Sequence, residues 1–191
     1  MGEVFDLQLI NTALRQATPL ILAALGGLMS ERTGVINIGL EGKILMGAFA
    51  GAYGALLTGS PWVGLGCAIL IGLLFALLHA VATQEFRTDH VVSGVAINLL
   101  ALGLSTYLFR QLILPREERG LSSVVRGFTP FQADWLVRVP ILGALLKDQT
   151  WLVLFAVVLP FALFWVLNQT RWGLRVYAVG NDAVKARTMG V

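Results

Sequence analysis

From Ile44 to Gln84 the chain runs for 41 residues without an Asp, Glu, Lys or Arg, and the turn signal Gly59-Ser60-Pro61 sits near the middle of that run. A single helix of this length would measure roughly 60 Å at about 1.5 Å per residue, twice the roughly 30 Å hydrocarbon thickness of a bilayer. Two membrane-spanning helices joined by a tight turn is the economical reading. Applied to the whole chain, the same pattern predicts five apolar helices: Leu7 to Met29, Ile44 to Thr58, Trp62 to Ala82, Val91 to Leu112, and Trp151 to Leu167. The first contains Arg15, a charge that costs about 2.5–3.5 kcal/mol at mid-bilayer on insertion scales. Either Arg15 snorkels to the interface beside Thr12 and Gln16, or it faces protein or water.

Inside the spans, Pro19 and Pro160 each remove a backbone donor that neighbouring elements must compensate. Gly47, Gly51 and Ala55 recur every four residues, the spacing that lets two membrane helices meet backbone to backbone. Three polar connections remain, Ser30 to Lys43, Thr83 to His90 and Ile113 to Thr150. The last mixes Arg116-Glu117-Glu118-Arg119-Gly120 with half-apolar sequence, which suits an ordered cap better than a loose linker. An odd number of spans puts the two ends on opposite sides. Because many transporters combine two related halves, the expectation is a C-terminally truncated chain, with no clear internal repeat.

Composition agrees with this picture. The chain is 57% apolar and 13% charged, with mean hydropathy +0.77, where soluble proteins carry about a quarter charged residues. The net charge is only +3 and no basic run occurs, so nucleic acid is set aside as a partner and membrane lipid takes its place. The lone Cys67 lies inside a span and supports no disulfide or zinc framework. An acidic start, Met1 to Asp6, followed by no small-residue cleavage pattern, reads as a retained segment and not as a signal peptide.

The least ordinary stretch is Ser30 to Lys43, in which three glycines, Asn37, Glu31 and Glu41 crowd between two spans. It suits a broken helix whose freed backbone groups are satisfied at a cavity edge; an ordinary solvated loop is the alternative. Gly42-Lys43 lacks the earlier glycine and the following Ser or Thr of a P-loop. His79 and His90, eleven residues apart with no companion ligands, give no metal site and read as a helix residue and a loop residue. Ser93-Gly94 is no nucleophile elbow. Neither a catalytic residue nor a cofactor is expected. Ser93, Asn98 and Ser105 in the fourth span point toward a neighbouring helix or an aqueous path. After the fifth span, Asn181 or Asp182 can cap a short surface helix that ends with Lys185, Arg187 and the terminator Gly190, and that needs a docking partner to be stable.

Three separated motifs, Glu31 to Gly42, Val91 to Leu100 and Gly173-Leu174-Arg175 through Val179-Gly180-Asn181, resemble the permease subunit of an ABC importer. The family is that of branched-chain amino acid, ribose and simple-sugar permeases, and the nucleoside and simple-sugar branch is the nearest in appearance. The resemblance implies an all-α polytopic protein of the bacterial or archaeal plasma (inner) membrane, with about five transmembrane helices and a broken-helix segment near 30–43. Residues 1–191 would form a single, partial permease domain, with 113–150 an external loop and 180–190 a cytoplasmic coupling helix. Implied partners are cytoplasmic ABC ATPase subunits, a second homologous permease and an external solute-binding lipoprotein. Asn37, Glu41, Ser93 and Asn98 are then the candidate pathway residues, offering hydrogen bonds to sugar hydroxyls or base edges. Gly180, Asn181, Asp182, Lys185, Arg187 and Gly190 are the candidate ATPase-coupling residues. Asp182 departs from relatives that often carry proline there, and Lys43 and His90 depart from their usual residues. An ion-coupled transporter or channel using Arg15, Glu31 and Glu41 as a charge relay is the alternative, and a scaffold subunit a third reading.

Overall fold

The computed structural model describes residues 2–117, 127–130 and 149–190. Its elements are helical, and among the described residues the sole β feature is an isolated bridge between Pro130 and Thr150. The chain divides into two compact units, residues 35–127 and residues 1–34 with 128–191.

The first unit is built on α2 (Leu40–Thr58), α3 (Pro61–Ala80) and α4 (His90–Leu108). Gly59 ends α2 in the left-handed conformation, φ 68°, and Pro61 opens α3 at a position where its missing N–H costs nothing. The hairpin closes because small residues face each other. A Cβ on Gly51 would sit 3.3 Å from the Ala68 Cβ, one on Gly54 2.7 Å from Cys67 Sγ, and one on Gly64 2.6 Å from the Gly51 carbonyl oxygen. The four-residue repeat of small side chains is therefore the α2–α3 contact surface.

A single π-helical turn, Val81–Glu85, extends α3, and another, Phe109–Ile113, extends α4 into the short α5 (Leu114–Glu117). Asp89 caps α4 by accepting from the backbone N–H groups of Val91 (2.8 Å) and Val92 (3.1 Å). His90, expected in a loop, is for this reason the first residue of α4. The core of the unit is Met46, Phe75, Ile97 and Ala101, with Phe49, Ile71, Leu104 and Leu108 packed around it.

The second unit holds α1 (Gly2–Arg32), α6 (Trp151–Gln169), α7 (Arg171–Asn181) and α8 (Ala183–Thr188). Pro19 and Pro160 lie inside α1 and α6 without ending either helix. α1 packs along α6, and the buried Gln149 donates from Nε2 to the Asn11 carbonyl at 3.1 Å. Arg15, Thr12 and Gln16 are exposed on α1.

Among the described residues, three segments are long and apolar enough to cross a membrane by length and composition: Pro61–Glu85, His90–Ile113 and Trp151–Gln169. Their side chains are largely uncovered, Leu70 being 67% exposed and Phe161 73%. Such surfaces belong in lipid. α1 and α2 are helical over the segments expected to span, and their charged positions, Arg15 in α1 and Glu41 and Lys43 in α2, dilute their apolar character. The protein is thus all-α and polytopic. Of the expected 113–150 loop, residues 118–126 and 131–148 lie outside the described residues.

Candidate functional site: a clamped helix start and a capped terminal helix

Between Arg32 and Leu40 the chain leaves the helix for seven residues, Thr33 to Gly39, so the interruption expected near 30–43 is real and shorter. Gly39 offers no side chain to cap α2, whose first N–H groups have no intrahelical acceptor. Asn98, from the middle of α4, fills that role. Its Oδ1 accepts from the Gly42 N–H at 2.8 Å while its Nδ2 donates to the Ile38 carbonyl at 3.1 Å. The amide thus bridges both sides of the helix start.

Glycine makes this bridge possible. A Cβ on Gly42 would come within 2.9 Å of the Asn98 Cα, and one on Gly94 within 2.9 Å of the Gly39 nitrogen. Asn37 accepts from the Lys43 ammonium, which closes the same segment from the α2 side. Glu41 is exposed in the first turn of α2, where the helix dipole favours an acid. Ser93 is 5% exposed, and its Oγ pairs with His79 Nδ1 at 3.0 Å across α3 and α4. Among the four candidate pathway residues, Asn98 holds Ile38 and Gly42 while Asn37 holds Lys43, so both tie down the start of α2. Ser93 lies five residues before Asn98, buried against His79 of α3.

The terminal candidates form a second cluster. Thr170 caps α7 by accepting from the Gly173 N–H at 3.2 Å, and its own hydroxyl donates to Val166 O at 2.6 Å. Gly173, Val176, Tyr177 and Gly180 make the covered stripe of α7, at helical spacing i, i+3, i+4, i+7. Gly180 lies against the Arg32 carbonyl at the end of α1, and the Arg32 guanidinium sits 5.1 Å above the Tyr177 ring. Asn181 ends α7, and Asp182, in extended conformation, starts α8. α8 then stands out from the surface: Val184 is 75% and Met189 82% exposed, Lys185 and Arg187 are exposed, and only Ala186 is buried. Gly190, φ 78°, follows as the expected terminator.

Asp182 accepts from the Lys185 N–H at 3.0 Å, and its other oxygen lies 3.1 Å from Lys185 Nζ. The Lys185 backbone N–H, and secondly its ammonium, hold the Asp182 carboxyl below its usual range. A carboxylate whose value falls on folding stabilises fully above the unfolded value of about 3.9, and the contribution disappears as pH drops through the lower folded value. The α8 cap is therefore intact at neutral pH. We expect Asp182→Ala to speed backbone hydrogen exchange across 183–188 at neutral pH, with Asp182→Asn between it and wild type. Equal exchange in all three would remove the cap from the account.

Sequence reasoning placed the cap and the terminator of α8 and missed α7, although the 173, 176, 177, 180 spacing was there to read. It also missed His79 as the partner of Ser93. Among the described residues no three His, Cys, Asp or Glu side chains gather as a metal site.

The family profile described as "Branched-chain amino acid transport system / permease component" matches residues 9–191. The chain belongs to this permease family. It is 38% identical to a guanosine ABC transporter permease protein of Bacillus subtilis over 96% of the chain and 59% of that relative. A nucleoside ABC transporter permease protein of Lactococcus lactis is 36% identical over 100% and 62%, and a putative glucose ABC transporter permease protein of Haloferax volcanii 33% identical over 98% and 56%. The chain therefore spans somewhat over half the length of these relatives. No solved structure matches significantly. With its exposed apolar helices, this family member is a multi-pass plasma-membrane protein.

Proposed function

We propose that the chain is the transmembrane permease part of an ABC importer for nucleosides or simple sugars, forming one wall of the translocation path and performing no covalent chemistry. The observation that carries this reading is the match of residues 9–191 to a permease profile, with relatives named for guanosine, nucleoside and glucose transport. The exposed α8 supplies the physical counterpart. A six-residue helix with uncovered Val184 beside Lys185 and Arg187, and with uncovered Met189 directly after it, is too short to be stable alone and gains stability by docking. In this reading it docks on a cytoplasmic ABC ATPase, while a second homologous permease completes the path and an external solute-binding lipoprotein delivers the solute to the 113–150 side. The division into one permease domain with an external 113–150 loop and a 180–190 coupling helix is part of the same proposal. So is the assignment of Asn37, Glu41, Ser93 and Asn98 to the path. ATP binding and hydrolysis would move α8 and α7 and switch a mid-membrane cavity between outward and inward access.

The test is charge reversal of Lys185 and Arg187 together in the assembled transporter. Uptake driven by ATP should fall at least about tenfold, the equivalent of about 1.4 kcal/mol of lost coupling, and ATP hydrolysis should cease to respond to solute. Uptake that continues in ATP-free vesicles on an ion gradient would overturn the importer reading in favour of an ion-coupled carrier.

A further inference from the structure

Two of the motifs that carry the family resemblance, Glu31 to Gly42 and Gly173 to Asn181, are far apart in sequence and touch in the fold. Arg32 and Gly34, at the end of α1, rest on Tyr177 and Gly180 of α7, all within the unit of residues 1–34 and 128–191. Gly180 has no side chain, so its backbone packs on the Arg32 carbonyl, and a Cβ on Gly34 would lie 3.5 Å from the Gly180 carbonyl oxygen. The Arg32 guanidinium carbon stands 5.1 Å from the Tyr177 ring centre, a cation–π distance. Among the described residues no carboxylate forms an ion pair with Arg32, so the ring is what its charge meets.

The position of this contact is what gives it a use. On one side, α7 ends at Asn181 and α8 starts at Ala183, so a displacement of α8 acts on α7 across the single residue Asp182. On the other side, the N–H groups of Thr33 and Gly34 still donate to the Ser30 and Glu31 carbonyls, at 3.1 and 3.0 Å, which makes both residues part of the end of α1. Gly34 then turns the chain out of the helix with φ 85°, and the passage into the unit of residues 35–127 falls at Gly34–Val35. From Asn37 onward the chain is held again, by Asn37 on Lys43 and by Asn98 on Ile38 and Gly42. Only Val35 and Ile36 separate the two anchored stretches, and two residues span at most about 7 Å. Such a link has little slack to absorb a movement of Arg32.

We propose that Arg32 and Tyr177 are positioning residues of the transport cycle: their contact locks the end of α1 to α7, so that movement of α8 is passed through Val35 and Ile36 to the start of α2. The proposal rests on the importer reading above and adds the route by which docking at α8 acts on the path. A cation that served only the dipole at the end of α1 would be indifferent to the side chain at 177.

The test uses the complete transporter with its partner subunits in proteoliposomes, offered radiolabelled guanosine and glucose, and measures solute taken up per ATP hydrolysed for whichever solute wild type transports. Arg32→Gln and Tyr177→Leu should each lower that ratio about three- to fivefold with the apparent KM unchanged, since neither side chain meets the solute. Tyr177→Phe keeps the ring and should match wild type. The double variant Arg32→Gln/Tyr177→Leu should be no worse than either single one, as residues acting through one contact are not additive. A smaller yield of assembled complex with an unchanged ratio would reduce the pair to a folding contact and overturn the proposal, as would additive losses in the double variant. If Tyr177→Leu fails to assemble, spin labels at Glu31→Cys and Leu174→Cys, both exposed positions, decide in a Cys67→Ala background. Their separation should be the same with and without trapped ATP, and a shift would show that α1 and α7 part during the cycle, against the proposal. Failure of wild type to take up either solute with ATP brings down the importer reading itself.

Discussion

Asn98→Leu is expected to destabilise the α2–α3–α4 unit more than any other conservative change within a span. The leucine keeps the size of the side chain and loses both hydrogen bonds, leaving the Gly42 N–H and the Ile38 carbonyl without their partner. Each orphaned backbone group costs about 1–3 kcal/mol where water does not replace the bond, so the sum is about 2–6 kcal/mol. A loss of that size lowers the melting temperature of a chain of this length by about 4–24 °C, measurable by thermal unfolding of the detergent-solubilised transporter. Asn98→Asp separates the two bonds, because it keeps an acceptor for Gly42 and puts a second acceptor against Ile38. It should fall between leucine and wild type. Asn98→Leu with unchanged melting and impaired uptake would mean that the amide serves the solute path and not the helix start.

The second large effect is expected at Gly180. A methyl group there would fall on the Arg32 carbonyl oxygen, and a backbone atom cannot swing aside as a flexible side chain can. Gly180→Ala should therefore cost about 1–3 kcal/mol or more, as overpacking does, and push the end of α7 away from α1. Because α8 follows two residues later, its placement should change with it, and uptake should fall further than stability alone explains. Gly103→Ala is the comparison. Nothing lies within 4 Å of its added Cβ, so the same substitution should be neutral or raise stability by up to about 1 kcal/mol through helix propensity. Melting of the two variants side by side checks the claim, and equal melting would show that Gly180 is no contact point.

Much of the helical frame was legible because its signals are local. Gly59-Ser60-Pro61 marks the α2–α3 turn, and the run Gly47, Gly51, Ala55 marks the face that α3 covers. Asp182 and Gly190 flank one short helix that contains Lys185, so cap and terminator could be read from spacing alone. α7 went unassigned because its packing partners lie outside its own sequence: Gly173 and Gly180 are the places where it touches the Leu167 and Arg32 carbonyls. Partners far apart in sequence were out of reach for the same physical reason. Asn98 bonds a group 56 residues away and Ser93 one 14 residues away on another helix. His90 moved from loop to helix because Asp89, just before it, is the cap.

The central claim is that the chain crosses the membrane and turns α8 toward an ATP-hydrolysing partner in the cytosol. The most direct measurement places a single thiol at Lys185→Cys, with Cys67→Ala removing the native one, and follows labelling by a membrane-impermeant maleimide. The account predicts no labelling in intact cells, labelling in inside-out vesicles, and protection of those vesicles when the ATPase is bound. Labelling of position 185 from the outside of intact cells would contradict it.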